Sequence, residues 1–503
     1  MTLRLPERAA FFISHKNYKQ MKSKLGYEKG LHLHIEKERA AVKLQSNVGE
    51  LLYEKGIELV LFRHHLTDIT ISEIINLHDY SRKVTSQSID VYTTSELATN
   101  LLELEVIPSK LDIGKLANEW NKEAGNYKNQ KEFLLDKLSI LKENQDKPVE
   151  PRDVVLYGFG RIGRLAAREL IKQAGKGQQL RLRAIVTRSS KDDDIIKRAS
   201  LLRNDSVHGA FKGSVIEDLD KKVLVINGQI VHMISANTPE EIDYEAYGIK
   251  NALVIDNTGV YTNRQALKRH LSAKGTAKVL LTAPGKEIPN IVHGINQGEL
   301  DLENENIYSA ASCTTNAISP ILKIMSDKFG IQKGHIETVH AYTNDQNLLD
   351  NMHKKPRRGR SAAINMVITS TGAGNAVTKV IPQLKDKLTA NAVRVPTPNG
   401  SLAIISLELN KETSVKEINQ VVHDEALNGD LVNQIYYSLD SELVSNDIIG
   451  NTCCAVFDSQ ATISSKDGKS AVLYTWYDNE YGYTKQVIRL AKYITKVRRA
   501  IYY

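Results

Sequence analysis

Cysteine is scarce in this chain. Three cysteines in 503 residues, Cys313, Cys453 and Cys454, are too few for a disulfide framework. Vicinal cysteines rarely bridge each other, so the expected setting is a reducing compartment, the cytoplasm. No stretch reaches the roughly 18 apolar residues of a membrane span, which excludes a membrane-spanning helix. The segment Met1 to Asn17 lacks the continuous apolar core of a secretory signal. Internal repeats and low-complexity tracts are missing too, which excludes a solenoid or a linker protein. A composition of 41% hydrophobic and 25% charged residues excludes a disordered chain, and 503 residues exceed one ordinary core. The formal charge of +8 suits phosphate-bearing partners, nucleic acid included, without choosing among them.

A polar break carrying two prolines, Asn144 to Pro151, divides the chain. Before it the pattern is mostly helical. Leu44, Val48, Leu51 and Leu52 recur at helical spacing, as do Ile113, Leu116, Ala117 and Trp120. Thr70 to Glu73 and Thr93 to Glu96 have capping-box spacing. Leu59 to Phe62 is an apolar run that fits helix or strand. The histidines here (His32, His34, His64, His65, His78) follow no metal-binding spacing, and no constellation in this segment points to catalysis. After the break, Val154 to Tyr157, a Gly-rich turn, a helical pattern through Leu165 and Leu170, and Leu182 to Val186 form a βαβ unit. Further on, Ala403 to Leu409 and Ala471 to Trp476 predict a second, more antiparallel domain.

The turn Gly158-Phe159-Gly160-Arg161-Ile162-Gly163 matches G-x-G-x-x-G between a predicted strand and a predicted helix. Glycines there let backbone amides approach a pyrophosphate, and the helix N-terminus adds partial positive charge. No acidic residue follows the second strand. Thr187-Arg188-Ser189-Ser190 stands where a carboxylate would bond ribose hydroxyls and repel a 2′-phosphate. Arg188 with its flanking hydroxyls is either a phosphate acceptor or a solvated surface residue.

Ser312-Cys313-Thr314-Thr315-Asn316 follows the small residues Ser309 to Ala311 and precedes a helical pattern of Ile318, Ile321, Leu322 and Met325. Cys313 is therefore expected at a helix N-terminus, where its thiol pKa is lowered and its nucleophilicity raised. Its polar neighbours do not read as core. His340 is a candidate general base with a pKa near the working pH.

These segments stand in an order that resembles phosphorylating glyceraldehyde-3-phosphate dehydrogenase from about residue 152 to the end: GFGRIG, DSVHG at 205–209, SCTTN, the His340 segment, RVPTPN at 394–399 and WYDNEYGY at 476–483. The resemblance implies an α/β Rossmann NAD(P)-binding domain at 151–312 with the C-terminal helix 484–503. It also implies an α+β catalytic domain with a mainly antiparallel sheet at 313–483, both behind a mostly helical extension, 1–150. It implies that Cys313 attacks the aldehyde, that His340 is the base, and that inorganic phosphate cleaves the resulting thioester. Ser312, Thr314, Thr371 and Gly372 would hold one phosphate; Thr343 and Arg394, with Arg357 or Arg358 (we favour Arg358), would hold the other. Gly158, Gly160, Arg161, Ile162, Gly163, Arg188 and Asn257 would bind NAD or NADP, and Asn479 would bond the nicotinamide carboxamide. The implied partners are glyceraldehyde 3-phosphate and phosphate, and the implied assembly is a homotetramer, with no metal and no membrane. Several positions depart from the family pattern. Tyr157, Arg188, Asn237, Asn257 and Asn351-Met352 put strict NAD preference in doubt, and Ala317 replaces a second cysteine.

Three further features have plain readings. Lys354 to Arg360 has the look of a nucleic-acid patch, but the resemblance implies a loop lining the cofactor and phosphate sites at a subunit contact. Cys453-Cys454 is expected to be structural, and Asp192-Asp193-Asp194 a solvated helix start. Two other functions compete with the leading one. Oxidation of erythrose 4-phosphate with thioester hydrolysis would reuse the same residues. A non-catalytic RNA- or partner-binding protein would use the basic charge, although intact Cys313, His340 and Arg394 argue for catalysis.

Overall fold

The computed structural model describes residues 26–85, 88–143, 150–172 and 179–503. The stretch Met1 to Asn17 and most of the break, 144–149, lie outside the described residues. The chain forms two compact units, one of residues 1–144 with 501–503 and one of 145–500.

The first unit is built on the helix Tyr27–Lys55, which buries Ala41, Leu44, Val48, Leu51 and Leu52 along the predicted face. It ends where Gly56 adopts a left-handed φ of 69° and its N–H reaches the Leu51 and Leu52 carbonyls. Thr70 and Glu73 form the predicted capping box, with the Glu73 carboxylate 2.6 Å from the Thr70 N–H and the Thr70 hydroxyl 3.2 Å from the Glu73 N–H. The second predicted box gives way to another cap. Asp90 accepts from the Thr93 N–H at 2.7 Å, so that helix begins at Val91 and Thr93 lies inside it. The ambiguous run resolves as the strand Glu58–Leu61, and Ile113–Glu123 is helical as its spacing predicts. The sheet runs His64–His65, Glu58–Leu61, Ser109–Asp112 and, from the far C-terminus, Ala500–Tyr502. The expected C-terminal helix therefore occupies only Tyr481–Ile494, and the tail beyond it becomes a strand.

The second unit contains two eight-stranded sheets. In the first, the order is Ile307–Ser309, Thr276–Leu281, Ala252–Asp256, Arg152–Tyr157, Leu180–Thr187, Gln229–Ser235, Val223–Ile226 and Val215–Asp218. The first six are mutually parallel and the last two are antiparallel. Leu156, Ile185 and Ile255 are fully buried; each such side chain contributes about 1.5–3 kcal/mol of transfer free energy. Arg152–Tyr157 is the earliest strand and has later strands on both sides. Its carboxyl end is thus the switch point where parallel sheets bind ligands. The helix Tyr481–Ile494 packs on this core through Tyr483, Val487 and Ile494.

In the second sheet the order is Val367–Thr369, Leu388–Val395, Ile331–Ala341, Ser401–Leu409, Ser470–Tyr477, Ala455–Asp458 and Ile435–Ser438, with Ile463–Ser464 paired to Ser470–Tyr477. It is mainly antiparallel, with parallel pairing only at Ile331–Ala341 beside Leu388–Val395 and at Ile435–Ser438 beside Ala455–Asp458. Alternation along Ser401–Leu409 turns Ala403, Ile405 and Leu407 toward the helix Cys313–Phe329 and its neighbours. Among the described residues no helix is long and apolar enough to cross a membrane.

Candidate active site

The candidate nucleophile, Cys313, is presented by a backbone elbow. The strand Ile307–Ser309 ends, Ala311 takes a left-handed φ of 55°, and the helix Cys313–Phe329 begins. A non-glycine residue in that conformation costs about 1–2 kcal/mol, and its neighbours hold it there. The Ala311 N–H donates to Ser309 Oγ at 3.0 Å, and Tyr483 donates its hydroxyl to the Ala311 carbonyl at 2.9 Å. Ser312 is the N-cap, accepting from the Thr315 N–H at 3.0 Å. Asn316 donates to the Ala310 and Ser312 carbonyls at 2.8 and 2.9 Å. The polar run around Cys313 is thus the mortar of the elbow. Cys313 itself packs against both hydrophobic cores, at their junction.

The second sheet supplies the candidate base, His340. His340 lies directly opposite Arg394 in the parallel pairing of their strands. His340 Nε2 is 3.6 Å from Cys313 Sγ, and its Nδ1 is 2.7 Å from the Ala341 carbonyl. Arg394 Nη1 donates to that same carbonyl at 2.8 Å and stands 2.8 Å from Nδ1. The tautomer with Nδ1–H on the carbonyl leaves the Nε2 lone pair facing the sulfur, which is what a general base needs. In that assignment Arg394 acts on the ring through its charge.

The electrostatics correct the sequence reading. Burial, aided by the charges of Arg394 and Arg358, pushes His340 down to about 3, well below the working pH. The ring is neutral throughout the neutral range and available to accept a proton. The thiol of Cys313 is not lowered overall. Burial pushes it up, and the Arg394 charge and the hydrogen bonds from Thr314 pull against that. Pairing of this thiol with the base therefore matters more than the helix end alone.

Arg394 has no ion-pair partner among the described residues, and burial followed by the Arg358 charge opposes its protonation. Two cations thus act on His340, and one of them, Arg358, is paired with Asp345. Arg358 also donates to Thr369 Oγ1 at 3.0 Å. Thr371 caps the Ala373 N–H at 3.2 Å, so Gly372 leads directly into the helix Ala373–Val380. Thr314 Oγ1 lies 3.0 Å from the Tyr477 hydroxyl, an engagement the sequence did not suggest. Thr343 sits in the loop that follows the His340 strand.

At the other sheet the three glycines of the turn have separate uses. Gly158 has a φ of 94°, and a Cβ there would meet Thr258 at 2.9 Å. A Cβ on Gly163 would lie 2.5 Å from the Gly158 carbonyl, so this glycine lets helix and strand touch. Gly160, at the N-cap of Arg161–Ile171, has open space where a Cβ would be. Asn257 borders the turn: its N–H donates to the Tyr157 carbonyl at 2.8 Å and its side chain reaches the Ile255 carbonyl. Tyr157 stacks edge-on against His270 at 4.7 Å between ring centres, which explains how a ring is accommodated there.

The guanidinium of Arg161 is engaged within the chain. It forms an ion pair with Glu480 and a two-pronged one with Asp205, at 3.1 Å to each oxygen. Glu480 also receives His208 Nε2 at 2.9 Å. Arg161 and Ile162 also open the helix Arg161–Ile171, so their backbone N–H groups lie in its first turn. Glu480 and Asp205 were missed as functional positions, because their partner is up to 319 residues away in sequence. The clamp continues to the nucleophile. Next to Glu480, Asn479 accepts from Ser401 Oγ at 2.8 Å, and Ser401 accepts from the Ala341 N–H at 3.1 Å, beside His340. Arg188 is exposed at the end of its strand, away from this chain of contacts. Cys454 is buried and donates to the Asn316 carbonyl at 3.1 Å. Among the described residues no group of three potential ligands could hold a metal ion.

Both parts of the second unit match known proteins. Residues 152–264 match the family model "Glyceraldehyde 3-phosphate dehydrogenase, NAD binding domain", and residues 312–479 match its "C-terminal domain" model. A "Glyceraldehyde-3-phosphate dehydrogenase-like protein" of Pseudomonas aeruginosa is 46% identical over 448 residues, covering 88% of this chain and 96% of the relative. That stretch is longer than the chain from residue 152 to its end, so it runs into the first unit. "Glyceraldehyde-3-phosphate dehydrogenase" of Priestia megaterium is 40% identical over 340 residues, 67% of this chain and 97% of the relative. "Glyceraldehyde-3-phosphate dehydrogenase 1" of Bacillus subtilis is 40% identical over 344 residues, with 68% and 98% covered.

Proposed function

The chain belongs to the glyceraldehyde-3-phosphate dehydrogenase family, and on that premise we propose that it reversibly oxidises glyceraldehyde 3-phosphate, with inorganic phosphate, to 1,3-bisphosphoglycerate through a thioester on Cys313. The observation that carries this reading is the 3.6 Å approach of Cys313 Sγ to Nε2 of a neutral His340.

Sγ adds to the aldehyde carbon, and the thiol proton passes by way of His340 Nε2 to the new hydroxyl. Nε2 then withdraws that hydroxyl proton as the carbon is oxidised, and the C–S bond remains as a thioester. A bound nicotinamide supplies the hydride acceptor. A phosphate oxygen attacks the thioester carbonyl, the C–S bond breaks, and the sulfur returns as thiolate beside Arg394. Arg394, Arg358 and Thr343 hold one phosphate, and Ser312, Thr314, Thr371 and Gly372 the other, because guanidinium, hydroxyl and backbone N–H groups suit tetrahedral oxyanions. The space at Gly160 and the N–H groups of Arg161 and Ile162 fit a pyrophosphate. Ser401 occupies the Asn479 carbonyl, so the Asn479 amide N–H remains for the nicotinamide carboxamide. The dinucleotide is NAD or NADP.

We assign 151–312, with the C-terminal helix, to cofactor binding and 313–483 to chemistry, in a cytoplasmic homotetramer that serves glycolysis or gluconeogenesis. The exposed apolar residues Leu348, Leu349, Met352, Ile364, Met366 and Ile368 support burial against a second copy. Steady-state oxidation of glyceraldehyde 3-phosphate, with and without phosphate, tests the reaction. Turnover should require phosphate; a rate indifferent to it would mean that water resolves the thioester, as in the erythrose 4-phosphate reading. Light scattering should return a tetramer.

A further inference from the structure

The strand Leu180–Thr187 is the second strand of the βαβ unit that begins at the Gly158–Gly163 turn, and its carboxyl end is where an adenosine ribose is met in such units. An open basin of about 570 Å³ lies there, lined by Arg188, Ser189, Ser190, Lys191, Lys222 and Ser235. Three of these are cationic, three carry hydroxyls, and none is a carboxylate. We infer that this basin is the seat of the 2′-phosphate of NADP, with Lys191 and Lys222 joining Arg188 as its cations. The inference rests on the dinucleotide-binding reading of that turn and makes the choice between NAD and NADP that the reading leaves open.

Three elements build the basin, which is why the residues are far apart in sequence. Ser235 pairs with Thr187 across the sheet and donates its hydroxyl to the Arg188 carbonyl at 3.0 Å, so the backbone of Arg188 is held while its side chain projects. Thr187 Oγ1 donates to the Ser189 carbonyl at 2.7 Å and tightens the same turn. Lys222 comes from the hairpin turn between Val215–Asp218 and Val223–Ile226, and its carbonyl accepts from the Met233 N–H at 2.8 Å. The guanidinium of Arg188 and the ammonium of Lys191 make no ion pair among the described residues. Lys222 is paired with Asp192, and Ser189 donates to Asp194. Those acids set the demand on a ligand. It must carry enough charge to draw Lys222 from Asp192, which a phosphate dianion does and a ribose hydroxyl does not. A carboxylate at position 188 would repel that dianion and favour the bare ribose.

The test compares 2′,5′-ADP with 5′-AMP, two fragments that differ by the 2′-phosphate, using calorimetry on the full-length protein. One to two charge-assisted contacts predict that 2′,5′-ADP binds about tenfold to a hundredfold tighter. Raising salt should narrow that ratio, because the basin is exposed. Arg188→Asp should invert it. Lys191→Ala and Lys222→Asn should each lower it several-fold; asparagine suits the left-handed backbone of Lys222, whose φ is 52°. Equal binding of the two fragments by the unaltered protein would overturn the inference, as would occupation of the basin by inorganic phosphate alone. The two readings fail separately. Oxidation of glyceraldehyde 3-phosphate with equal fragment binding would sink only the basin. A clear 2′,5′-ADP preference without any such oxidation would sink only the proposed reaction.

Discussion

The surroundings of Cys313 and the surroundings of Arg188 in the second unit are built on opposite principles. At the nucleophile, Cys313, His340, Ala341, Ser401 and Asn479 form one run of contacts, nearly all buried, and each side chain is oriented by the next. At the Arg188 end, Arg188 is exposed and neither its guanidinium nor the Lys191 ammonium makes an ion pair among the described residues. Bond-making needs atoms held within tenths of an ångström before reaction, so it is placed where packing leaves no alternatives. Discriminating a charged ligand from a neutral one needs only net charge within reach, so it tolerates a solvated, adaptable rim. The first kind of site is costly to alter, and the second changes with a single residue.

Substitutions at the tight end should break that contrast most severely. Cys313→Ser should abolish phosphate-dependent oxidation in a stopped-flow assay of acyl formation, because the hydroxyl is far less nucleophilic than the thiol; retained acylation would remove Cys313 from the chemistry. His340→Asn should slow acylation by about 10²- to 10⁴-fold, the usual contribution of a positioned base, while alkylation of Cys313 still proceeds. A rate within twofold of normal would show that the 3.6 Å contact is incidental. Glu480→Gln should weaken the clamp on Arg161 and His208, costing about 1–3 kcal/mol as a charged hydrogen-bond partner is lost. Its signs would be a lower urea midpoint and a KM for the dinucleotide raised more than kcat is lowered. An unchanged midpoint would mark the clamp as ornamental.

The smallest expected effect tests the electrostatics. The Arg394 charge favours the thiolate of Cys313 and disfavours protonated His340. Removing it with Arg394→Leu should therefore raise both pKa values. The pH midpoint for alkylation of Cys313 by iodoacetamide should move up; a midpoint that stays in place or falls would show that burial alone sets the thiol.

Much of the fold was legible because periodicity survives in it. The predicted strands at 154–157, 182–186, 403–409 and 471–476 lie within observed ones, and the faces of Tyr27–Lys55 and Ile113–Glu123 are buried as their spacing requires. The failures are local or long-range. Thr93 to Glu96 has the form of a cap, but Asp90 competes for the same N–H groups and starts the helix earlier. The tail beyond Ile494 reads as helix until a sheet in the first unit takes it as a strand. The engagement of the Arg161 guanidinium by Asp205 and Glu480 was not legible either, because Glu480 is far from it in sequence.

The candidate chemistry of this protein is written in short stretches of its sequence: one cysteine among capping residues at a strand-to-helix junction, a Gly-rich turn, and an arginine just beyond the second strand of the βαβ unit. Those features arise from neighbours a few residues apart, where backbone geometry and side-chain type act together. How the parts serve one another was left to the folded arrangement. Folding brought His340 to Cys313, made that histidine neutral by burial and by the charges of Arg394 and Arg358, and gathered Lys191, Lys222 and Ser235 around Arg188. Protonation states and binding pockets depend on burial and on charges from distant segments, and those exist only once the sheets have formed.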